Sequence, residues 1–193
     1  MPRKVWYAPN KFESYGEEEI KAVEECLRAG WLAGFGERTI EFEKRVSDYF
    51  DKKHGLFVNS GSSAILVGLC ALDLPKGSEV VTPACGFATT VAPLEQLGLK
   101  PVFCDVDLTS YVPTVEQLRK VVTPETKCLL LPNLIGNVPD WQAIREAFPG
   151  VILFEDSADT MTRTSCTDIS TTSFYASHVI TAGGIGGMVM FND

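Results

Sequence analysis

His178 closes a polar run, Ser173-Phe-Tyr-Ala-Ser-His178, that follows an apolar strand pattern and precedes the glycine-rich Gly183-Gly-Ile-Gly-Gly187. An imidazole in such a loop can take or give a proton near neutral pH; the same residue reads also as a solvated loop side chain. The second of the two histidines, His54 in Lys52-Lys-His-Gly55, reads as a surface turn without a role. Acids gather at the end of another apolar run, Phe154-Glu-Asp156-Ser-Ala-Asp159. A carboxylate set against the nitrogen of a heteroaromatic ring keeps that nitrogen protonated and makes the ring an electron sink. In a chain of formal net charge −8, the same acids read equally as a strand end in water.

Two more segments could complete a ligand site. Asn59-Ser-Gly-Ser-Ser63-Ala-Ile-Leu opens a helix with small residues, which exposes backbone N–H groups to which the helix dipole draws a phosphate. Serine is also a good N-cap anywhere, so the segment reads as a plain helix start too. Phe87, in Thr82-Pro-Ala-Cys-Gly-Phe87-Ala-Thr-Thr, follows a strand, where its ring could lie on a flat ligand or fill the core.

These segments need strand ends to hold them, and the pattern supplies them. Apolar runs predict strands near Leu56–Asn59, Glu79–Pro83, Pro101–Asp105, Cys128–Pro132, Val151–Glu155, Thr171–Ala176 and Gly187–Phe191. Helical spacing predicts helices over Gly16–Arg28, Thr39–Phe50, Ser63–Leu72, Ala88–Leu97, Val115–Val121 and Asp140–Phe148, with a glycine-punctuated loop over Gly30–Gly36. Thr114 and Gln117 form a capping box at the fifth helix. Alternation of this kind predicts an α/β fold: three layers, α/β/α, around a mostly parallel seven-stranded sheet. The division is an N-terminal helical segment over residues 1–50 and a ligand-binding domain over 51–193 within one structural unit.

Composition narrows the function classes. The 193 residues, 45% hydrophobic and 22% charged, suit one globular domain. The acidic balance argues against nucleic acid and anionic membranes as partners. Met1-Pro-Arg-Lys-Val-Trp lacks the apolar core of a secretory leader, and no apolar run approaches a membrane span. Six scattered cysteines without a Cys-x-x-Cys pair read as free thiols in a reducing cytoplasm rather than disulfides or a metal site.

The motifs in their order resemble the DegT/DnrJ/EryC1/StrS aminotransferase family, and the resemblance covers essentially the whole chain. It implies the large domain of a fold type I enzyme that binds pyridoxal phosphate (PLP) or pyridoxamine phosphate (PMP). It implies that Gly61, Ser62 and Ser63 belong to the phosphate loop, that Ser173 supplies a second phosphate hydroxyl, and that Phe87 stacks on the pyridine ring. Asp156 corresponds to the partner of the ring nitrogen. Asp159 stands where aminotransferases have Gln or His near the ring hydroxyl. His178 stands where they have the lysine that holds the cofactor covalently, and His there marks the sugar 3-dehydratases of the family.

The implied activity is C-3 dehydration of a nucleotide-linked 4-keto sugar in deoxysugar or polysaccharide biosynthesis, with His178 as base, in a homodimer. The alternatives are an aminotransferase relative that has lost activity and a non-catalytic subunit completed by a partner. Gly183-Gly-Ile-Gly-Gly187 lacks the acid usual in that turn, and the stretch from Asp159 to Ser173 looks short for the family. The family continues into a smaller C-terminal domain, so a fragment, a split gene product or a naturally reduced protein is expected.

Overall fold

A computed structural model describes residues 15–31 and 34–192. The leader reading of residues 1–6 and the middle of the Gly30–Gly36 loop lie outside the described residues. The elements run α1 (Glu17–Ala29), α2 (Glu37–Tyr49), β1 (His54–Val58), α3 (Gly61–Ala71), β2 (Glu79–Pro83), α4 (Ala88–Gln96) and β3 (Lys100–Cys104). They continue with α5 (Val115–Arg119), β4 (Thr126–Pro132), a 3₁₀ turn (Leu134–Gly136), α6 (Trp141–Ala147), β5 (Ile152–Ser157), β6 (Ile169–Ser173) and β7 (Gly187–Phe191).

The seven strands form one sheet in the order β1-β7-β6-β5-β4-β2-β3, in which β7 alone runs antiparallel to its neighbours. Strand alternation sends neighbouring residues to opposite layers. Val80, Leu130, Phe154 and Val189 meet Ala64, Ile65 and Leu69 of α3 and Leu94 of α4 on one face. On the other face Val81, Leu129, Leu131 and Leu153 meet Leu118 of α5 and Trp141 and Ile144 of α6. Val46 and Phe50, at the end of α2, extend that second layer over Phe174, Met188 and Met190. Each fully buried Leu or Phe contributes about 1.5–3 kcal/mol, so this double-sided core outweighs any single polar contact.

Most boundaries shift by one to three residues from the sequence reading, and three of the differences have a clear physical cause. Helix α3 starts at Gly61 because Ser60, not a later serine, is the N-cap: its Oγ accepts from the Ser63 amide at 3.1 Å. His54 begins β1, its ring 5.6 Å from that of Phe191, rather than lying in a turn. β6 runs from Ile169 to Ser173, earlier than expected, with every residue buried. Its polar Ser170, Thr171 and Thr172 survive burial because each hydroxyl donates to an oxygen of Glu155 or Ser157 on β5. Beyond Ser173 the chain still pairs across the glycine turn, Phe174 N to Gly186 O and Ala176 N to Gly184 O. Gly184 and Gly186 sit at φ 111° and 140°, which only glycine takes without strain, so the regular ladder stops there. The capping box forms as expected, with Thr114 and Gln117 each accepting from the other's amide.

Candidate active site

The carboxyl ends of the parallel strands open into a cavity of about 670 Å³. Open α/β sheets bind ligands at such strand ends, and the volume lies in the range of small-molecule sites. Gly61, Ser62, Phe87, Asp156, Asp159, Ser173 and His178 all line it. Ser63 does not: at the third position of α3 its amide turns back to Ser60 Oγ, and its own Oγ receives the Ser60 hydroxyl at 3.1 Å. Ser60 lines the cavity in its place.

The first turn of α3 forms one wall. The Ser63 and Ala64 amides bond to Ser60, which leaves those of Gly61 and Ser62 as the helix's outward donors. A Cβ on Gly61 would lie 2.8 Å from Cβ of Ser173, so the missing side chain lets the helix start close against the end of β6. That contact brings the Ser173 hydroxyl beside the dipole's positive end.

Phe87 caps α4 with its side chain 70% exposed, which excludes the core-filler reading. Asp156, the next-to-last residue of β5, lies on the α3 face, one residue after Glu155, which points into the opposite layer. Burial pushes the Asp156 carboxyl up to about 6, against hydrogen bonds from the Thr90 hydroxyl (2.9 Å to Oδ2) and the Ala158 amide; the neighbouring Asp159 and Glu155 push the same way as burial. Among the described residues the cavity has no lysine or arginine in its lining to balance that charge. Lys100 and Lys127 lie at the opening ends of β3 and β4. Lys52 is buried with its ammonium on the Thr164 carbonyl; burial lowers its pKa, and the charge of Glu155 opposes that.

His178 packs edge-on against Tyr175, ring centroids 5.7 Å apart. Its Nε2 stands 3.9 Å from Oδ1 of Asp159, and its Nδ1 is buried without a hydrogen-bond partner among the described residues. The other Asp159 oxygen accepts the Ile135 amide at 3.0 Å. The arrangement can hold an anion at the α3 start, a flat ring along Phe87, a ring N–H at Asp156 and a proton on His178.

Thr90, Asn133, Tyr175 and Ser177 also line the cavity and escaped the sequence reading. Thr90 and Asn133 carried a usable signal, since each is polar and lies close behind a strand end. Tyr175 and Ser177 share the loop of His178.

A model of the DegT/DnrJ/EryC1/StrS aminotransferase family matches residues 13–193. The chain belongs to this family. Its relatives in the DegT/DnrJ/EryC1/StrS family carry out different reactions. The dTDP-4-dehydro-2,3,6-trideoxy-D-glucose 4-aminotransferase of Saccharopolyspora spinosa is 34% identical over 189 residues, covering 92% of this chain and 49% of that protein. The dTDP-4-dehydro-2,6-dideoxy-D-glucose 3-dehydratase of the same organism is 36% identical over 191 residues, 90% of this chain and 41% of that one. The solved GDP-4-keto-6-deoxy-D-mannose-3-dehydratase of E. coli with bound hydrated PLP superposes with a TM-score of 0.90 at 30% identity, over 98% of this chain and 51% of that one. The chain spans about half the length of these family members. Among the described residues no helix is long and apolar enough to cross a membrane.

Proposed function

We propose that this chain is the cofactor-binding part of a nucleotide-sugar-modifying enzyme, a C-3 dehydratase of 4-keto sugars that works with PMP or PLP. The observation that carries this reading is a cavity with an imidazole, a buried carboxylate and an aromatic face, but no lysine among its described lining residues. Nothing in that lining can hold an aldehyde cofactor covalently as a lysine would.

The residues fit the cofactor. The Gly61 and Ser62 amides and the Ser173 hydroxyl would hold its phosphate, Phe87 would lie along its ring, and Asp156 would take its ring N–H. A buried carboxylate without a cation is what such an N–H would satisfy. When bound, the cofactor supplies a protonated ring that draws electrons from the carbon attached to it. Asp159 faces Nε2 of His178 at 3.9 Å, close enough for its charge to favour a proton on that nitrogen. As general base, His178 would take a proton and return it to a leaving hydroxyl.

The substrate class is a sugar 4-ketone linked to a nucleoside diphosphate, GDP or dTDP, as in the names of the relatives. Six unpaired cysteines support a reducing, cytoplasmic setting. Trp31, Phe35, Val179 and Ile185 are each at least 60% exposed, which supports burial in a homodimer or against a complementing subunit.

The test is incubation of the full chain with excess PMP and a panel of GDP- and dTDP-linked 4-keto sugars, followed by mass spectrometry for the 3-deoxy 4-keto sugar, the substrate less one oxygen, formed as PMP is converted to PLP and ammonia. Turnover by the wild type and none by a His178→Asn variant that still binds PMP supports the dehydratase. Absence of PMP and PLP binding, or equal turnover by the variant, hands the site to the alternative, a non-catalytic homologue or subunit.

A further inference from the structure

Glu155 has no exposed surface, yet its two oxygens collect the polar groups of an otherwise irregular loop. Oε1 accepts from Asn133 Nδ2 at 2.7 Å, Thr162 Oγ1 at 2.8 Å and Thr164 Oγ1 at 3.0 Å. Oε2 accepts from Ser170 Oγ at 2.7 Å, with Thr167 Oγ1 more distant at 3.3 Å and closer to the Thr164 carbonyl. In all four short bonds Glu155 is the acceptor, three of them at Oε1 and one at Oε2. Lys52 faces this carboxylate, and its ammonium binds the Thr164 carbonyl on the same loop.

The loop from Ala158 to Asp168 contains no helix or strand, so side-chain bonds must fix its path. They join it to the turn after β4 twice. Asn133 Nδ2 also reaches Ser157 Oγ at 3.0 Å and Thr160 Oγ1 at 3.2 Å, and the Ile135 amide reaches Asp159. Trp141 Nε1 donates to Asn133 Oδ1, which fixes the orientation of that amide. Ile135 holds φ 55°, an unfavourable region for a β-branched residue, with its side chain in solvent and its amide on the Asp159 carboxylate. The strained residue is exposed, and its amide bonds a cavity carboxylate while the same turn closes the Asn137 amide on the Leu134 carbonyl, so the turn serves the site rather than the core.

We propose that Glu155 is a positioning residue that sets Asp159 against His178, acting through Asn133 and the hydroxyls of the Ala158–Asp168 loop. The functional meaning of that placement rests on reading His178 as the base. Asp159 from the loop, Tyr175 from the segment of His178 and Asp156 from β5 are the charged or titratable groups that share the cavity with the imidazole, together with Cys85 beyond β2.

The test reads the ring-nitrogen NMR shifts of His178 in the cofactor-free full chain, which report which nitrogen carries the proton; His54 is the internal control. The wild type is expected to show the Nε2–H form. Asp159→Asn, Glu155→Gln and Thr162→Val should each mix the two tautomers, and Glu155→Gln combined with Asp159→Asn should move the shifts no further than Asp159→Asn alone. If Glu155→Gln fails to fold, Thr162→Val carries the test, because it removes one hydroxyl and keeps the volume. Wild-type shifts in Glu155→Gln and Thr162→Val overturn the proposal, as do unchanged shifts in Asp159→Asn. A His178→Asn variant with full turnover would sink the base reading and leave this result standing, so the two failures are distinguishable.

Discussion

The Thr90 hydroxyl donates to Oδ2 of Asp156 at 2.9 Å, joining the first turn of α4 to the end of β5. Burial and the Thr90 bond act oppositely on this carboxyl: the first favours the neutral form and the second the charged one. Replacing Thr90 by Val removes the donor that favours charge. At about pH 8 the variant should lose about 1.5–3 kcal/mol of unfolding free energy, the range for hydrogen bonds to charged groups, and less at about pH 4. Urea titrations at the two pH values check it; equal losses at both would show that the bond does not depend on the charge.

Asp156 itself destabilises the cofactor-free fold at neutral pH. Its folded value of about 6 lies above the ordinary 3.8, so the unfolded chain ionises first as pH rises. Its contribution to stability is full below about pH 4 and is lost as pH climbs through about 6. A shift of about 2 units corresponds to about 3 kcal/mol at the most. Asp156→Asn should therefore raise the unfolding free energy at about pH 8 by about 1–3 kcal/mol and change it little at about pH 4, while abolishing PMP binding. Denaturant melts with and without PMP measure both effects. A variant less stable than wild type at about pH 8 would contradict the argument.

Phe87 separates stability from binding in the opposite way. With its ring mostly in solvent, Phe87→Ala should change stability by no more than about 0.5 kcal/mol. Loss of an aromatic face worth about 1–2 kcal/mol to a bound ring should weaken PMP binding by about tenfold. Calorimetric titration measures the affinity, and unaltered binding would remove Phe87 from the site.

How far the sequence carried can be judged from Ser63, Ser170 and Asp159. The seven strands and six helices were legible because apolar spacing follows the two periods of strand and helix. The start of α3 was misplaced by two residues because every residue from Ser60 to Ser63 is small, and only the folded chain shows which serine caps. The opening of β6, Ile169 and Ser170, was missed because Ser170 looks solvated, and its burial depends on an acceptor on β5 that no local pattern reveals. Asp159 was found as a strand-end acid, but its facing of His178 depends on a loop folded around a buried carboxylate from the other layer.

Gly187 tests the phosphate end of the cavity through backbone alone. A Cβ there would land on the Ser60 carbonyl and the Gly61 nitrogen, backbone that no side-chain rotation can relieve. Gly187→Ala should push the start of α3 off the strand ends, costing about 2–3 kcal/mol and weakening binding of PMP more than that of pyridoxamine without phosphate. Gly150→Ala, whose Cβ would meet nothing within 4 Å, should stay within about 0.5 kcal/mol of wild type. Unfolding and binding measured on both variants decide it; comparable behaviour of the two would deny the close approach.

The chemistry turns on one side chain, and exchanging it should redirect the protein. His178→Asn leaves the phosphate, ring and ring-nitrogen contacts in place, so PMP affinity should stay within about threefold of wild type while sugar turnover disappears. His178→Lys puts an amine in a cavity that has none among its described lining residues. It should therefore make PLP fixable by borohydride, seen as a mass increase on the intact chain, whereas the wild type should show no such attachment at this site. Any remaining activity of the Lys variant should move toward amino transfer, measured with glutamate as donor. Borohydride-fixed PLP on the wild-type chain, mapped to any lysine outside the described lining that reaches the cavity, would overturn the lysine-free reading of the site and with it the role given to His178.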